Sequence, residues 1–278
     1  MYLTAEIIAL PGDSGDKRAE AAESWLDNLR AIRAIARREV IRFLRAKSRI
    51  VGSVAMPLIW FCAFGLGLGS AFGIRYGEIG YAEFLAPGII AMTVLFASTF
   101  SGMSIIVDKE FGILKELLVA PISRTSLVFG KVFGGMATSL IRAILITILF
   151  SMTLKISMSI PEYLGILAII CLISFGFGAL AIAIATLMES MEGFGLIVEL
   201  VVMPIFFLSG AFFPIERLPE WLSMVVALNP LTYGVDGLRL IMFGTGSFSM
   251  LHDFGMLMFF DAVMVILAAY LFGRGDTT

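Results

Sequence analysis

The chain has 278 residues, of which 59% are hydrophobic and 15% charged, with a formal net charge of −2 and a mean hydropathy of +0.97. Soluble domains carry about 25% charged residues, and one of this length has too little interior to hide so much apolar surface. These figures exclude an ordinary cytosolic enzyme, a disordered chain and a nucleic-acid binder, and leave a protein whose solvent is mostly lipid.

Residues 1–24 are small and polar, and the apolar stretch from Ile7 to Leu10 is too short for a signal-peptide core, so they read as a polar N-terminal tail. Residues 25–49 change character. Trp25, Leu29, Ile32, Ala36, Val40 and Phe43 share one face of a helix, with Arg30, Arg37, Arg38, Arg42, Arg45 and Arg49 mostly opposite. A basic amphipathic helix of this kind lies in the headgroup plane or docks on a soluble partner, and the long apolar run that follows favours the membrane.

Six runs are long enough to cross a bilayer. Residues 50–72, 84–107 and 163–188 hold no charged side chain; 132–154 hold only Arg142, 193–215 only Glu199, and 254–272 only Asp261. About 20 helical residues cross a hydrocarbon core of ~30 Å. A further apolar stretch, 221–235, is too short and is broken at Asn229-Pro230, as a re-entrant or interfacial segment would be. The expected fold is all-α and polytopic, with six transmembrane helices in residues 50–272 and a C-terminal tail, 273–278. With a cytoplasmic N-terminus, fifteen Lys and Arg fall inside and four outside, which puts both termini in the cytoplasm. Trp25, Trp60, Trp221, Tyr81, Tyr163 and Tyr233 mostly sit near span ends, as interfacial anchors do.

Between the second and third spans, Ile113, Leu114, Leu117 and Leu118 share one face of a short helix that Pro121 stops. It is either a ridge for a soluble partner or a membrane-skimming connector. Cys62 and Cys171 lie in apolar runs and His252 stands alone, so no catalytic residue set and no metal site is expected. A phosphate-binding loop is also missing: Gly130-Lys131 is followed by Val132, where Ser or Thr is needed.

Two blocks carry a resemblance. Residues 84–131, FLAPGIIAMTVLFASTFSGMSIIVDKEFGILKELLVAPISRTSLVFGK, and residues 206–239, FFLSGAFFPIERLPEWLSMVVALNPLTYGVDGLR, resemble the permease subunit of ABC-2 type exporters, such as the daunorubicin-type drug and nodulation lipo-oligosaccharide exporter permeases. The resemblance covers roughly residues 25–272. It implies a homodimer or paired permease in the cytoplasmic (inner) membrane of a prokaryote, served by a separate ABC ATPase that holds ATP and Mg, with no cofactor on this chain. It implies a coupling helix at 109–121, with Glu110, Phe111, Leu114, Lys115, Glu116, Leu117, Pro121 and Arg124 facing the ATPase. It also implies that 25–49 is the interface helix, and that 212–239 is a re-entrant hairpin closing the outer end through Pro214, Pro219, Trp221, Asn229 and Pro230. The cargo would be an amphipathic drug, lipid or lipid-linked glycan moving outward. The rivals are an ATP-independent channel or scaffold, and a membrane-embedded enzyme.

Gly65, Gly69 and Gly73 repeat every four residues in the first span, a spacing that lets backbones approach; the contact lies either within one subunit or at the dimer seam. A central Arg or Asp costs ~2.5–3.5 kcal/mol on insertion scales. Arg142 lies ~15 Å deep, Asp261 ~10 Å from the outer surface and Glu199 ~9 Å from the inner. Neutralisation of Arg142 by Asp261, Glu199 or both is therefore expected, serving helix register or substrate passage.

Overall fold

The computed structural model describes residues 14–76, 79–112 and 123–274. Helix α1 (Ser14–Arg45) starts well before residue 25, inside the segment expected to be a tail, and breaks at Ala46. The first long apolar element comprises α2 (Lys47–Trp60), a π-helical stretch (Phe61–Leu68) and α3 (Gly69–Phe72). It contains Pro57, which removes one backbone donor just before the π-helical stretch. Strands β1 (Arg75–Tyr76) and β2 (Ile79–Gly80) form a minimal antiparallel hairpin. Glu83 accepts from the Gly80 N–H at 2.7 Å and opens α4 (Tyr81–Ser101), which continues after Gly102 as α5 (Met103–Glu110). Then come α6 (Arg124–Thr153), α7 (Ile160–Leu187), α8 (Met191–Phe207), α9 (Glu220–Leu228), α10 (Pro230–Phe243) and α11 (Met250–Arg274).

Five helices among the described residues are long and apolar enough to cross a bilayer: Ile50–Phe72, Tyr81–Glu110, Thr125–Thr153, Ile160–Leu187 and Met250–Phe272. The expected run 193–215 is cut short, because α8 has 17 residues, or ~26 Å. The reason lies after Phe207. Ser209 is buried and bonds back to the Phe206 carbonyl, Gly210 takes a left-handed φ of 70°, and Pro214 follows. Residues 208–214 are apolar but turn rather than continue the helix.

Helices α4, α6 and α7 form the centre, with α1 along α6, and α11 and α10 on α7. Of the apolar window in Tyr81–Glu110, 72% is buried by the rest of the chain, against 17% in Ile50–Phe72 and in Met250–Phe272. The first and last long helices are the flanks. Small residues set the close approaches. Ser139 on α6 hydrogen-bonds Ser174 on α7. A methyl group added at Gly102 would stand 2.8 Å from the Ala181 carbonyl oxygen of α7. Backbone cannot yield as a side chain can, so Gly102→Ala is expected to destabilise by about 1–3 kcal/mol. The control is Gly255→Ala, whose added methyl meets nothing within 4 Å. Thermal unfolding in detergent checks this: the first variant should melt several degrees lower and the second within a degree or two of the parent.

Candidate functional site

α1 and α6 run side by side in the same direction. Added methyls at Gly130 and Gly134 would meet Ile35 at 2.9 Å and Glu39 at 2.8 Å, so a four-residue step on one helix matches a four-residue step on the other. Asn28 accepts from the Ser123 N–H at 2.9 Å and ties α1 to the start of α6. The apolar side of α1, with Ile35 and Phe43 buried, therefore packs on this chain's own helix.

Beneath that seam lies a cluster of charges. Lys131 on α6 is 3% exposed and donates to Asp108 of α5 at 2.5 Å, to Glu39 of α1 at 2.9 Å and to the Ser104 hydroxyl at 3.0 Å. Asp108 is fully buried and also accepts from Arg38 at 2.7 Å. Arg42 stands 3.6 Å from Glu39 and 3.8 Å from Asp108. Three cations thus share two carboxylates and lock α1, α5 and α6 together. Lys109, the next residue, donates to the carbonyls of Thr186 at 3.0 Å and Met188 at 3.4 Å, where α7 ends and its dipole is negative.

Above the cluster is a cavity of about 1010 Å³ between α1, α2, α4, α5, α6 and α8. Met56, Trp60, Met92, Phe96, Phe100, Met203 and Phe206 give it apolar walls, while Glu39, Arg42, Lys131 and Arg142 put charge into it. Trp60 stacks on Phe64 at 5.2 Å and meets Phe206 edge-on at 6.4 Å.

The structure does not bring the three intramembrane charges together. The Arg142 guanidinium carbon lies 4.3 Å from the centre of the Phe43 ring, a cation–π contact with α1. Asp261 on α11 points at Gly176 of α7, and Glu199 is on the exposed side of α8. The expected pairing gives way because Arg142 faces α1 and the cavity, whereas Asp261 faces the α7 backbone.

Gly65 and Gly69 have their near neighbours in the same chain, Ala82 and Tyr81 at 3.4 and 3.3 Å from an added methyl, and Gly73 ends α3 with a φ of 59°. Of the residues expected to face a partner, Glu110 ends α5 and Phe111 is 72% exposed. Leu114, Lys115, Glu116, Leu117 and Pro121 lie outside the described residues, and Arg124 opens α6.

At the other end of the molecule, Pro214 precedes a short 3₁₀ turn, Pro219 precedes α9, and Trp221 is 67% exposed. Asn229 breaks α9 from α10, with Pro230 as the first residue of α10. Its amide donates to the carbonyls of Ile205 at 2.6 Å and Leu208 at 2.9 Å, and its oxygen accepts from the Leu231 N–H at 3.0 Å. Thr232 and Tyr233 donate to the Val226 and Ala227 carbonyls at 2.7 and 2.6 Å. Three side chains thus satisfy the backbone that the break leaves open. Buried Arg239 lies 3.9 Å from the Phe84 ring centre and donates to the Gly210 carbonyl at 3.0 Å. Burial pushes it down to about 10, against Asp236 and Glu216, and leaves it charged at neutral pH.

Sequence reasoning missed the charged cluster. Its signal was present: Glu39 is the one acidic residue between Arg30 and Arg45, and Asp108 and Lys131 adjoin apolar runs.

The sequence profile of the ABC-2 type transporter family matches residues 30–243. The chain is 32% identical over 216 residues to a putative transport permease, ycf38, of Porphyra purpurea, covering 77% of this chain and 74% of the relative. It is 26% identical over 252 residues to the inner membrane transport permease YadH of Escherichia coli K12, covering 88% and 95%. It is also 26% identical over 276 residues to nodulation protein J of Rhizobium leguminosarum bv. trifolii, covering 96% and 97%.

Proposed function

The chain belongs to the ABC-2 type transporter family, and on that premise we propose that it is the permease of an ATP-driven exporter carrying an amphipathic molecule outward across the cytoplasmic membrane. It is a multi-pass membrane protein. α8 is a sixth crossing, the α9–α10 hairpin is a re-entrant cap at the outer end, and both termini are cytoplasmic. Two permease copies pair, and a separate ATPase that holds ATP and Mg docks at 109–121 and beside α1.

The observation that carries this reading is the position of the cavity. It opens between the crossing helices and rests on α1, α5 and α6, the elements that flank the proposed docking segment. The segment between α5 and α6 is rooted at both ends: Asp108 holds Lys131 and Arg38, and Lys109 holds the end of α7. A push on it from closing ATPase subunits therefore moves several helices as one body, and differential nucleotide binding by the partner supplies the energy.

The test is capture. The affinity-tagged chain, expressed with the other proteins of its native membrane, is expected to retain an ABC ATPase, and the double charge reversal Glu110→Lys with Lys115→Glu should lower the captured ATPase roughly tenfold without lowering membrane insertion. Flux through proteoliposomes holding this chain and no ATPase would overturn the reading in favour of a channel.

A further inference from the structure

Asp253, in the first turn of α11, is fully buried, and neither of its carboxyl oxygens has a hydrogen-bond partner among the described residues. Its surroundings explain why. The side chain lies against the backbone of α10: a methyl added at Gly237 would stand 3.5 Å from Asp253 Oδ2 and 2.8 Å from Ile169, the side chain that α7 brings to the same spot. The polar groups of α10 are engaged elsewhere. The Tyr233 hydroxyl donates to the Ala227 carbonyl at 2.6 Å. Arg239 donates to the carbonyls of Gly210 and Phe84 at 3.0 and 3.4 Å. On α11 itself, the His252 ring packs on Tyr233 and Phe248, 5.2 and 5.3 Å from their ring centres.

Asp236, on α10, is the contrast. It is also fully buried, but one of its oxygens accepts from the Ser247 N–H at 2.8 Å and the other from the Phe248 N–H at 2.9 Å, which suits a carboxylate. The charge of Arg239 acts on Asp236 as well, and that of Glu216 is turned to the Ser247 hydroxyl. Asp236 is thus the charged member of the pair, and its charge bears on Asp253 across the contact between α10 and α11. A second carboxylate there, with no donor and a like charge beside it, has nothing to replace its lost hydration. A metal ion is not the remedy, since no group of three His, Cys, Asp or Glu among the described residues could hold one. A proton needs one oxygen and no added space.

We propose that Asp253 is a proton-binding site, and that α10 packs on α11 only while the proton is held. Its release sets two carboxylates across the contact, and α10 lifts from α11. The packed state binds a proton that the lifted state gives up, so packing weakens as pH rises, by at most about tenfold per pH unit for one proton. With the α9–α10 hairpin as the outer cap, the reading on which this consequence rests, closure of the outer end answers to the acidity outside.

The experiment uses the full chain in nanodiscs, labelled with carbon-13 aspartate. At about pH 7 the infrared spectrum of the parent minus that of Asp253→Asn is expected to show the carbonyl stretch of one protonated aspartic acid, fading toward about pH 10, a range above ordinary carboxyl titration. Over the same range the parent should lose several degrees more of melting temperature than Asp253→Asn does, while His252→Gln keeps the parent's slope. A difference spectrum without the band overturns the site. A band with equal slopes overturns the tie between the proton and α10 packing, and so does a slope that His252→Gln abolishes. If Asp253→Asn is not monodisperse, Asp261→Asn takes its place: it removes the other buried acid of α11, and the fading band must then persist, its loss overturning the site. Neither readout needs an ATPase, so the proton site stands or falls apart from the export reading.

Discussion

Asp108→Ala is expected to lower the melting temperature in detergent by roughly 10 °C, from a loss of about 3–5 kcal/mol. Asp108 is fully buried and holds Lys131 at 2.5 Å and Arg38 at 2.7 Å. Removing it leaves a cation that is 3% exposed with Glu39 as its one remaining carboxylate, and uncompensated buried charge is the costly product. The double variant Asp108→Leu with Lys131→Met should recover most of the loss, since a buried pair replaced by apolar groups of similar size is often nearly neutral. Transport should not recover with it, because the link between α5 and α6 stays cut. A single variant that melts within 2 °C of the parent would show that the cluster does not hold these helices together.

Asn229→Ala is the second large effect. The amide of Asn229 closes the end of α8 through two carbonyls, and its oxygen caps α10. Alanine loses the cap, worth ~1 kcal/mol, and leaves two part-buried acceptors without this donor, at ~1 kcal/mol each. A loss of about 2–4 kcal/mol is expected, read as a shift in thermal unfolding, together with loss of export in cells. Asn229→Asp distinguishes the two roles. Aspartate keeps a capping oxygen but cannot donate to Ile205 and Leu208, so it should be at least as damaging as alanine. A mild aspartate variant would show that capping alone matters and that the tie to α8 does not.

The charged cluster and the Asn229 corner differ in how far the sequence announced them. Asn229-Pro230 was visible as a break in an apolar stretch, because proline removes a donor and ends the pattern locally. Its ties to Ile205 and Leu208 were not visible, since they join residues 24 and 21 positions away. Glu39 is the lone acid between Arg30 and Arg45, yet nothing local marks its partner: Lys131 is 92 residues distant and is reached only because α1 lies along α6. Likewise the spacing of Gly65 and Gly69 signalled a close approach and left the neighbour open. The neighbour in this chain proved to be the start of α4.

The sequence by itself determined that the chain lives in a bilayer, roughly where the long apolar helices run, and where the α9–α10 hairpin breaks. Transfer free energy and backbone breakers act residue by residue, so summing along the chain is enough. Only the tertiary structure decided that α8 stops at Phe207, that Arg142 turns to Phe43 rather than Asp261, and that the charges of α1, α5 and α6 merge under one cavity. Those outcomes depend on which helix faces meet. Helices in lipid choose their faces by close packing and polar pairing across long stretches of chain, which local periodicity does not encode.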